Sequence, residues 1–419
     1  MASRTNPIFM RPDRRDALVA AAFALAALAL YLRRLTDPAT LMFDEHHYVP
    51  AVRTLLAFAG LPNAEHPPLG KWLIGLGMTL GGDNPFGWRI MSALFGAMAV
   101  GAGVMAARWL LGTRAVAVMT GLLLLISPML FIQARIAMLD IFMLALLMLA
   151  FWAFAAAART DYADRWRLAL AGGLLGLATA AKWTAIPFVA MAIALFTLAR
   201  LRGDRRRGPG LVEGVSWLGP FAILVYLATF LPYLFLRHDA LSLGGLVPQQ
   251  FAMLKLQGQA LAPHVYQSVW WQWVLSLRPV WYFYEPVNGI QRGVLLIGNP
   301  AISWGGLLAL LVCLYAGLRQ GERPLLVIAL LWAASLAFFI VIPKPVMFYY
   351  HYIPASLLLC FAIAAVLDRW FWQRGNRLAP TLCIGFAVLL FVEFYPIVSA
   401  AALGDPQDFN RWMWLDSWR

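Results

Sequence analysis

Two carboxylates stand side by side at Asp44 and Glu45, inside the stretch Phe43-Asp44-Glu45-His46-His47-Tyr48. A little further on comes His66-Pro67-Pro68-Leu69-Gly70-Lys71. Carboxylates, imidazoles and an ammonium in one loop can take a proton from a hydroxyl and steady an anion. A positioned base contributes about 10²–10⁴-fold in rate. An acidic pair just past an apolar segment is also an ordinary feature of a solvated loop. Here only 13% of residues are charged, and the pair sits between aromatic and histidine neighbours. That context makes Asp44 and Glu45 the catalytic candidates, with His47, Tyr48, His66 and Lys71 as substrate contacts.

A second group consists of Arg89, Arg135, Asp140 and Lys182, each near the expected outer end of an apolar segment. Ionisable groups in membrane spans are costly and face a polar interior. Arg135 and Asp140 could pair with each other. Lys182 has no acid near it in sequence, which suits it to a phosphate. Lys344, between Pro343 and Pro345, and His351, in Tyr350-His351-Tyr352, are further candidate substrate contacts. The prolines after His66 fix the backbone and restrict the residue before each. They make a rigid corner leading into a surface helix that carries Lys71.

Asp44, Glu45, His46, His47 and His66 include ligand types for Zn²⁺ or Mn²⁺. Their spacing matches no closed zinc motif, so no metal or other cofactor is expected. The sequence has no Gly-Lys-Ser/Thr phosphate loop, no Gly-x-Ser-x-Gly and no His-Glu-x-x-His. ATP-driven pumping and the common hydrolase chemistries therefore lack their motifs.

The elements that position these residues are membrane helices. The chain has 419 residues, 62% of them hydrophobic. A soluble domain carries about 25% charged residues. A span needs roughly 20 apolar residues. On that basis the chain is an all-α polytopic membrane protein of about eleven transmembrane helices. They fall near 16–34, 90–110, 115–133, 138–158, 168–183, 185–200, 214–236, 299–318, 324–342, 350–367 and 379–399. The first is read as a signal anchor rather than a cleaved signal. The chain divides into a catalytic module over 1–236, an aromatic-rich outer loop over 237–298 and a four-helix module with an outer tail over 299–419.

Of 33 basic residues only four are lysines, and the arginines cluster in alternate loops. The positive-inside rule makes that side, with the N-terminus, cytoplasmic. Arg33 and Arg34 are the exceptions. The long loops 35–89 and 237–298 then face outward, and the runs Trp270-Trp271-Gln272-Trp273 and Trp281-Tyr282-Phe283-Tyr284 of the second suggest interfacial anchors, with a sugar or lipid contact as the alternative. The basic run at 200–211 lacks interleaved aromatics and reads as a membrane-surface anchor, not a nucleic-acid patch. Cys313, Cys360 and Cys383 lie in apolar segments and suggest no disulfide framework.

Taken together these pieces resemble the protein O-mannosyltransferase family of C-type, lipid-phosphate-sugar-dependent glycosyltransferases. The resemblance rests on Phe43-Asp44-Glu45-x-His47-Tyr48, His66-Pro67-Pro68-Leu69-Gly70-Lys71, Gly87-Trp88-Arg89, Arg135-Ile136-x-x-Leu139-Asp140 and Ala181-Lys182-Trp183. It continues in Ser268-x-Trp270-Trp271-x-Trp273, Arg278-Pro279, Gly298-Asn299-Pro300, Tyr350-His351-Tyr352 and Arg411-Trp412-Met413-Trp414. It implies the GT-C glycosyltransferase fold, with the first outer loop carrying the active site. It implies a polyprenyl-phosphate-linked mannose donor, a catalytic base at Asp44 and an important arginine at Arg89.

The chain departs from the eukaryotic pattern. Residues 237–298 leave no room for a β-trefoil (MIR) domain, and Ala64 stands where those members have an aspartate. Both departures leave the acceptor open between an exported protein and an envelope lipid or glycan, as in the aminoarabinose transferases. The expected setting is a bacterial inner membrane with the site facing the periplasm. In the expected mechanism Asp44 deprotonates the acceptor in an inverting displacement. Glu45 and His47 shape the loop or the acceptor site, and Arg89 and Lys182, with Arg135 or Lys344, stabilise the phosphate.

Overall fold

The computed structural model describes residues 11–160, 164–202, 208–259, 262–341 and 346–419. Among them nine helices are long and apolar enough to cross a membrane. The first, α1 (Arg14–Leu32), opens on a capping box in which Asp13 accepts from the Asp16 N–H and Asp16 from the Asp13 N–H. Such reciprocal caps satisfy orphan donors of the first turn. The first outer loop is itself helical. It contains α2 (Glu45–Leu56) and α3 (Leu69–Gly81), then enters α4 (Pro85–Leu111). Asn84 caps α4 and Pro85 takes its first position, where a missing N–H costs nothing.

The span expected over 115–133 is broken. It becomes α5 (Arg114–Leu125) and α6 (Pro128–Gln133). Pro128 cannot continue the hydrogen-bond ladder of α5 and starts a new helix. Next come α7 (Leu139–Arg159) and α8 (Arg165–Ala181). Lys182 is extended, with φ −158° and ψ 134°, so α8 ends before α9 (Ile186–Leu201) begins. Two expected spans thus appear as the shorter helices α5 and α8. A similar break at Gly219-Pro220 separates α10 (Leu211–Leu218) from α11 (Pro220–Ala228).

Close helix approach depends on small residues, as in membrane interiors generally. A Cβ at Gly172 would lie 1.9 Å from the Trp217 carbonyl oxygen, and one at Gly176 would lie 2.3 Å from that of Ala222. Those two glycines let α8 press against α10 and α11. Buried α7 and α16 (Ile353–Trp370) form the middle of the bundle, while α1 and α17 (Leu378–Val398) show their leucines outward.

The outer loop over 237–298 departs from the all-α expectation. It holds α12 (Leu246–Gln257), α13 (Trp270–Val274) and two antiparallel strands, β1 (Val280–Val287) and β2 (Ile290–Leu296). Its aromatic run Trp281-Tyr282-Phe283-Tyr284, expected as interfacial anchors, is strand β1. Aromatics favour strands, and Asn288-Gly289, both at positive φ, makes the tight turn of a hairpin. A short strand β3 (Ala402–Leu403) adds to β2, giving the order β1-β2-β3. Helices α14 (Pro300–Gln320) and α15 (Arg323–Val341) precede α16 and α17. The tail folds back, with Trp412 donating to the Glu393 carbonyl and Trp418 to that of Ser276, each at 2.6 Å.

Candidate active site

The head of α2 is held in an uncommon backbone conformation. Phe43 has φ +44°, in the left-handed region that bulky residues rarely adopt. Its ring stacks on Tyr282 of β1, with centroids 4.3 Å apart and planes within 16°. The Tyr282 hydroxyl accepts from Gln133 at 2.8 Å. The outer sheet therefore backs the turn that aims Asp44. The Asp44 carbonyl accepts from the N–H groups of His47 and Tyr48, starting the helix.

Glu45 and Arg89 form a buried bidentate pair, 2.8 Å on each arm. Glu45 also accepts from the backbone of Met42 and Ala137, each at 2.9 Å. The remaining N–H groups of Arg89 go to the carbonyls of Leu35, Pro38 and Thr40. A guanidinium has five N–H donors, and all five are spoken for. Glu45 is thus not placed as a base, nor Arg89 as a phosphate ligand. The pair instead knots the loop 35–45 to α4 and to the turn before α7.

Arg135 does not pair with Asp140. Its guanidinium donates to the carbonyls of Tyr31, Arg33 and Arg34 and lies 4.9 Å above the Phe131 ring. It caps the C-terminus of α1, where carbonyls lack partners and a cation is favoured. Arg34, one of the topological exceptions, is balanced by Asp37 at 2.7 Å.

Asp140 pairs instead with Lys182, at 2.7 and 2.8 Å to its two oxygens. Asp140 lies in the first turn of α7, where the helix dipole favours a carboxylate. The break at Lys182 between α8 and α9 lets the ammonium reach it. Sequence separation hid this partner. Lys182 Nζ also lies 4.7 Å over the Tyr350 ring. The His351 ring stacks between Tyr350 and Trp273, and its Nδ1 faces the Phe348 backbone. His351 therefore holds Tyr350 in place.

Asp44 differs from every other acid around it. It is half-buried, and among the described residues no donor bonds its carboxylate. Burial pushes its pKa up to about 6, with Lys182 and His47 pulling down and Asp140 pushing up. The phenols of Tyr48 and Tyr282 lie in the combined field of Asp44 and Asp140 and are raised, chiefly by burial. Asp44, Asp140, Lys182, Tyr48, Tyr282 and Tyr350 thus form one polar cluster, the chamber of the site. Tyr282 is not among the site residues expected from the sequence, because its aromatic run reads first as interfacial anchors.

Lys71 is not in that chamber. Its buried ammonium donates to the carbonyls of Pro62, Asn63 and His66 at 3.3, 2.8 and 3.0 Å. Burial pushes it down to about 7, against the opposing pull of Glu65. It staples the loop 62–66, whose His66 ring meets the edge of Tyr48 at 5.9 Å. The exposed His46 and His47 line a cleft of about 330 Å³ with Pro50, Ala51, Thr54, Pro62 and Asn63. Lys344 lies outside the described residues. Among the described residues no three His, Cys, Asp or Glu side chains are grouped to hold a metal ion.

An apolar groove of about 1360 Å³ runs between α7, α9, α15 and α16. Phe188, just beyond Lys182, and Pro354, just beyond Tyr350, line it near the chamber. Arg159, Arg202, Arg323 and Arg369 line its other end. Its lining follows α7 from Leu144 to Arg159 and α16 from Pro354 to Arg369, so it runs for most of the length of those helices.

The chain matches two family models. Residues 65–234 match dolichyl-phosphate-mannose-protein mannosyltransferase, and residues 243–418 match the C-terminal four TMM region of protein-O-mannosyltransferase. It is 31% identical to the polyprenol-phosphate-mannose–protein mannosyltransferase of Mycobacterium tuberculosis, over 93% of this chain and 89% of that one. Its fold is similar to that of the S. cerevisiae protein O-mannosyltransferase Pmt1-Pmt2 complex bound to the sugar donor. The TM-score is 0.86 at 14% identity, covering 98% of this chain and 94% of that one. ArnT from Cupriavidus metallidurans is similar at TM-score 0.60 and 18% identity, over 92% of this chain and 65% of that one. The motifs, the two family matches and a likeness running through nearly the whole sequence agree: the chain belongs to the protein O-mannosyltransferases, membrane glycosyltransferases of the GT-C fold.

Proposed function

We propose that this chain moves mannose from a polyprenyl-phosphate carrier to a serine or threonine hydroxyl of an exported protein, with Asp44 as the base. One observation carries the assignment. Asp44 is the half-exposed carboxylate without a bonded donor, in a chamber whose other acid, Asp140, is tied to Lys182. A pKa near 6 leaves it ionised at neutral pH yet still basic, close to the working optimum of a general base.

The acceptor hydroxyl approaches Asp44 past the His46/His47 cleft. Asp44 takes its proton as the oxygen attacks the anomeric carbon of mannose. The bond from that carbon to the phosphate oxygen breaks, and its electron pair leaves with polyprenyl phosphate. The configuration inverts. Lys182 gives two N–H directions to Asp140 and keeps one for the departing phosphate. Such preorganised charge is often the largest contribution to catalysis. The carrier's tail lies in the apolar groove, and Asp140 and Lys182 stand at the ends of α7 and α8 opposite Arg159 and Arg165. By the positive-inside rule those ends face the cell exterior or periplasm.

The test uses purified protein in liposomes with radiolabelled polyprenyl-phosphate-mannose. Envelope proteins and envelope lipids are offered together, with Asp44→Asn as control. Label in protease-sensitive material that disappears in the variant supports the reading. Asp44-dependent label in lipid or glycan keeps the chemistry and changes the acceptor. Label that ignores Asp44 removes it as the base.

A further inference from the structure

Helix α12 is inside out for a helix in water. Its glutamines Gln249, Gln250 and Gln257 turn toward the protein and are half-buried. Most of its large apolar residues turn away, Leu246 and Met253 being the inward ones. Leu243, just before the helix, and Val247, Phe251 and Leu254 are 70%, 57%, 69% and 61% exposed. Their spacing repeats at helical intervals and places them on one face. A helix in water shows its polar face and hides its apolar one. The inward residues are well anchored: Met253 is buried in a cluster with Leu55, Tyr226, Phe230 and Tyr233.

The exposed stripe has a neighbour that says what covers it. The segment before it, Leu211–Phe235, is a membrane span whose outer end carries exposed Leu231 and Phe235. Along the chain the exposed apolar residues run on from Leu231 and Phe235 to Leu243, eight residues later, and then to the stripe of α12. Lys255, also exposed, adds a cation of the kind that sits among lipid head groups.

We propose that α12 lies in the outer leaflet of the bilayer and, through its glutamines, holds the 62–66 wall of the acceptor cleft. Gln257 Nε2 donates to the Glu65 carbonyl at 2.8 Å, inside the loop that Lys71 staples. Gln250 accepts from the Tyr226 hydroxyl, which in turn accepts from Trp183 at 2.9 Å, next to Lys182. Lipid below the helix thus sets the position of one cleft wall and touches the donor side through Trp183. The membrane docking stands apart from the transfer chemistry; the effect on the cleft rests on the acceptor reading given above.

The test begins with nitroxide labels in a Cys383→Ser background, with the full chain in lipid nanodiscs. Labels go at Val247→Cys, Phe251→Cys and Leu254→Cys, with Leu311→Cys as the lipid-facing control and Glu285→Cys as the aqueous one. Oxygen should relax the three α12 labels more than a water-soluble nickel chelate does, as for Leu311. A pattern like that of Glu285 overturns the proposal. So does exclusion of both reagents, whether spin–spin coupling points to a second copy or its absence points to cover from the same chain. This readout needs no enzymatic activity. In the transfer assay, Gln257→Ala should raise the acceptor KM about fivefold while donor KM and kcat stay within about twofold. An unchanged acceptor KM removes the coupling to the cleft.

Discussion

Arg89 clasps Glu45 with two parallel hydrogen bonds of 2.8 Å, sealed from solvent and 44 residues apart in the chain. This knot holds the loop that carries Asp44. Removing one partner leaves the other charge buried and unpaired, at a cost of about 3–5 kcal/mol. Arg89→Met or Glu45→Gln should therefore lower the unfolding temperature in detergent and abolish transfer together. The paired exchange to two apolar residues should recover little stability and no activity, because it leaves the carbonyls of Leu35, Pro38 and Thr40 and the N–H groups of Met42 and Ala137 without partners. If either single variant melts like the parent, the knot is not holding the loop.

Asp44 calls for the opposite outcome. Asp44→Asn should cut transfer by about 10²–10⁴-fold and leave the fold intact. Its carboxyl titrates near 6, above the ordinary 3.8, because burial disfavours the charge. Between those values the folded chain binds more protons than the unfolded one. Stability from this group therefore rises as pH falls from 6 toward 3.8, and its ionisation costs stability above 6. The Asn variant should melt no lower than the parent at pH 7. A clearly lower melting temperature would make Asp44 a structural residue.

Two adjacent acids in the sequence thus have separate tasks, and only part of that division was legible. The acidic pair stood out by its neighbours, and the family resemblance placed the base at Asp44. The knot of Glu45 did not, because Arg89 and the Ala137 N–H reach it from distant segments. Lys182 looked free of acids for the same reason: Asp140 meets it only because α8 breaks off. Hydropathy located the spans but averaged over the breaks at Pro128 and Pro220. Tyr282 was missed although the signal existed. Asn288-Gly289 after an aromatic run marks a hairpin, and a strand at that place puts one tyrosine in the chamber.

Lys71 should behave as a staple and not as a phosphate ligand. Lys71→Met orphans carbonyls at 62, 63 and 66, with each buried unmet group costing about 1–3 kcal/mol. The loop should loosen, and limited proteolysis should cut near Asn63 sooner. The acceptor KM should rise while the affinity for polyprenyl phosphate holds. Loss of carrier binding in a folded variant would put the lysine back at the phosphate.

Lys182 is proposed to supply the cation at the phosphate, so the reaction should not depend on a divalent metal. Transfer should continue at an unchanged rate in excess EDTA after extensive dialysis. Activity that collapses and returns with Mn²⁺ or Mg²⁺ would move the phosphate charge to a metal.

The Asp140–Lys182 pair also tunes the base, and the direction can be worked out. The rate should fall as pH drops through about 6, because Asp44 must be ionised to take the proton. Lys182 favours the ionised form, so Lys182→Met should move this acid limb to higher pH, besides lowering the plateau by roughly 10²–10³-fold. Asp140 disfavours the ionised form, and its loss also leaves Lys182 to face Asp44 alone. Asp140→Asn should therefore move the limb to lower pH. The measurement is kcat/KM against pH for the two variants at saturating donor. Opposite shifts place the titrating group between the pair; shifts in one direction, or none, would mean that the limb belongs to a group other than Asp44.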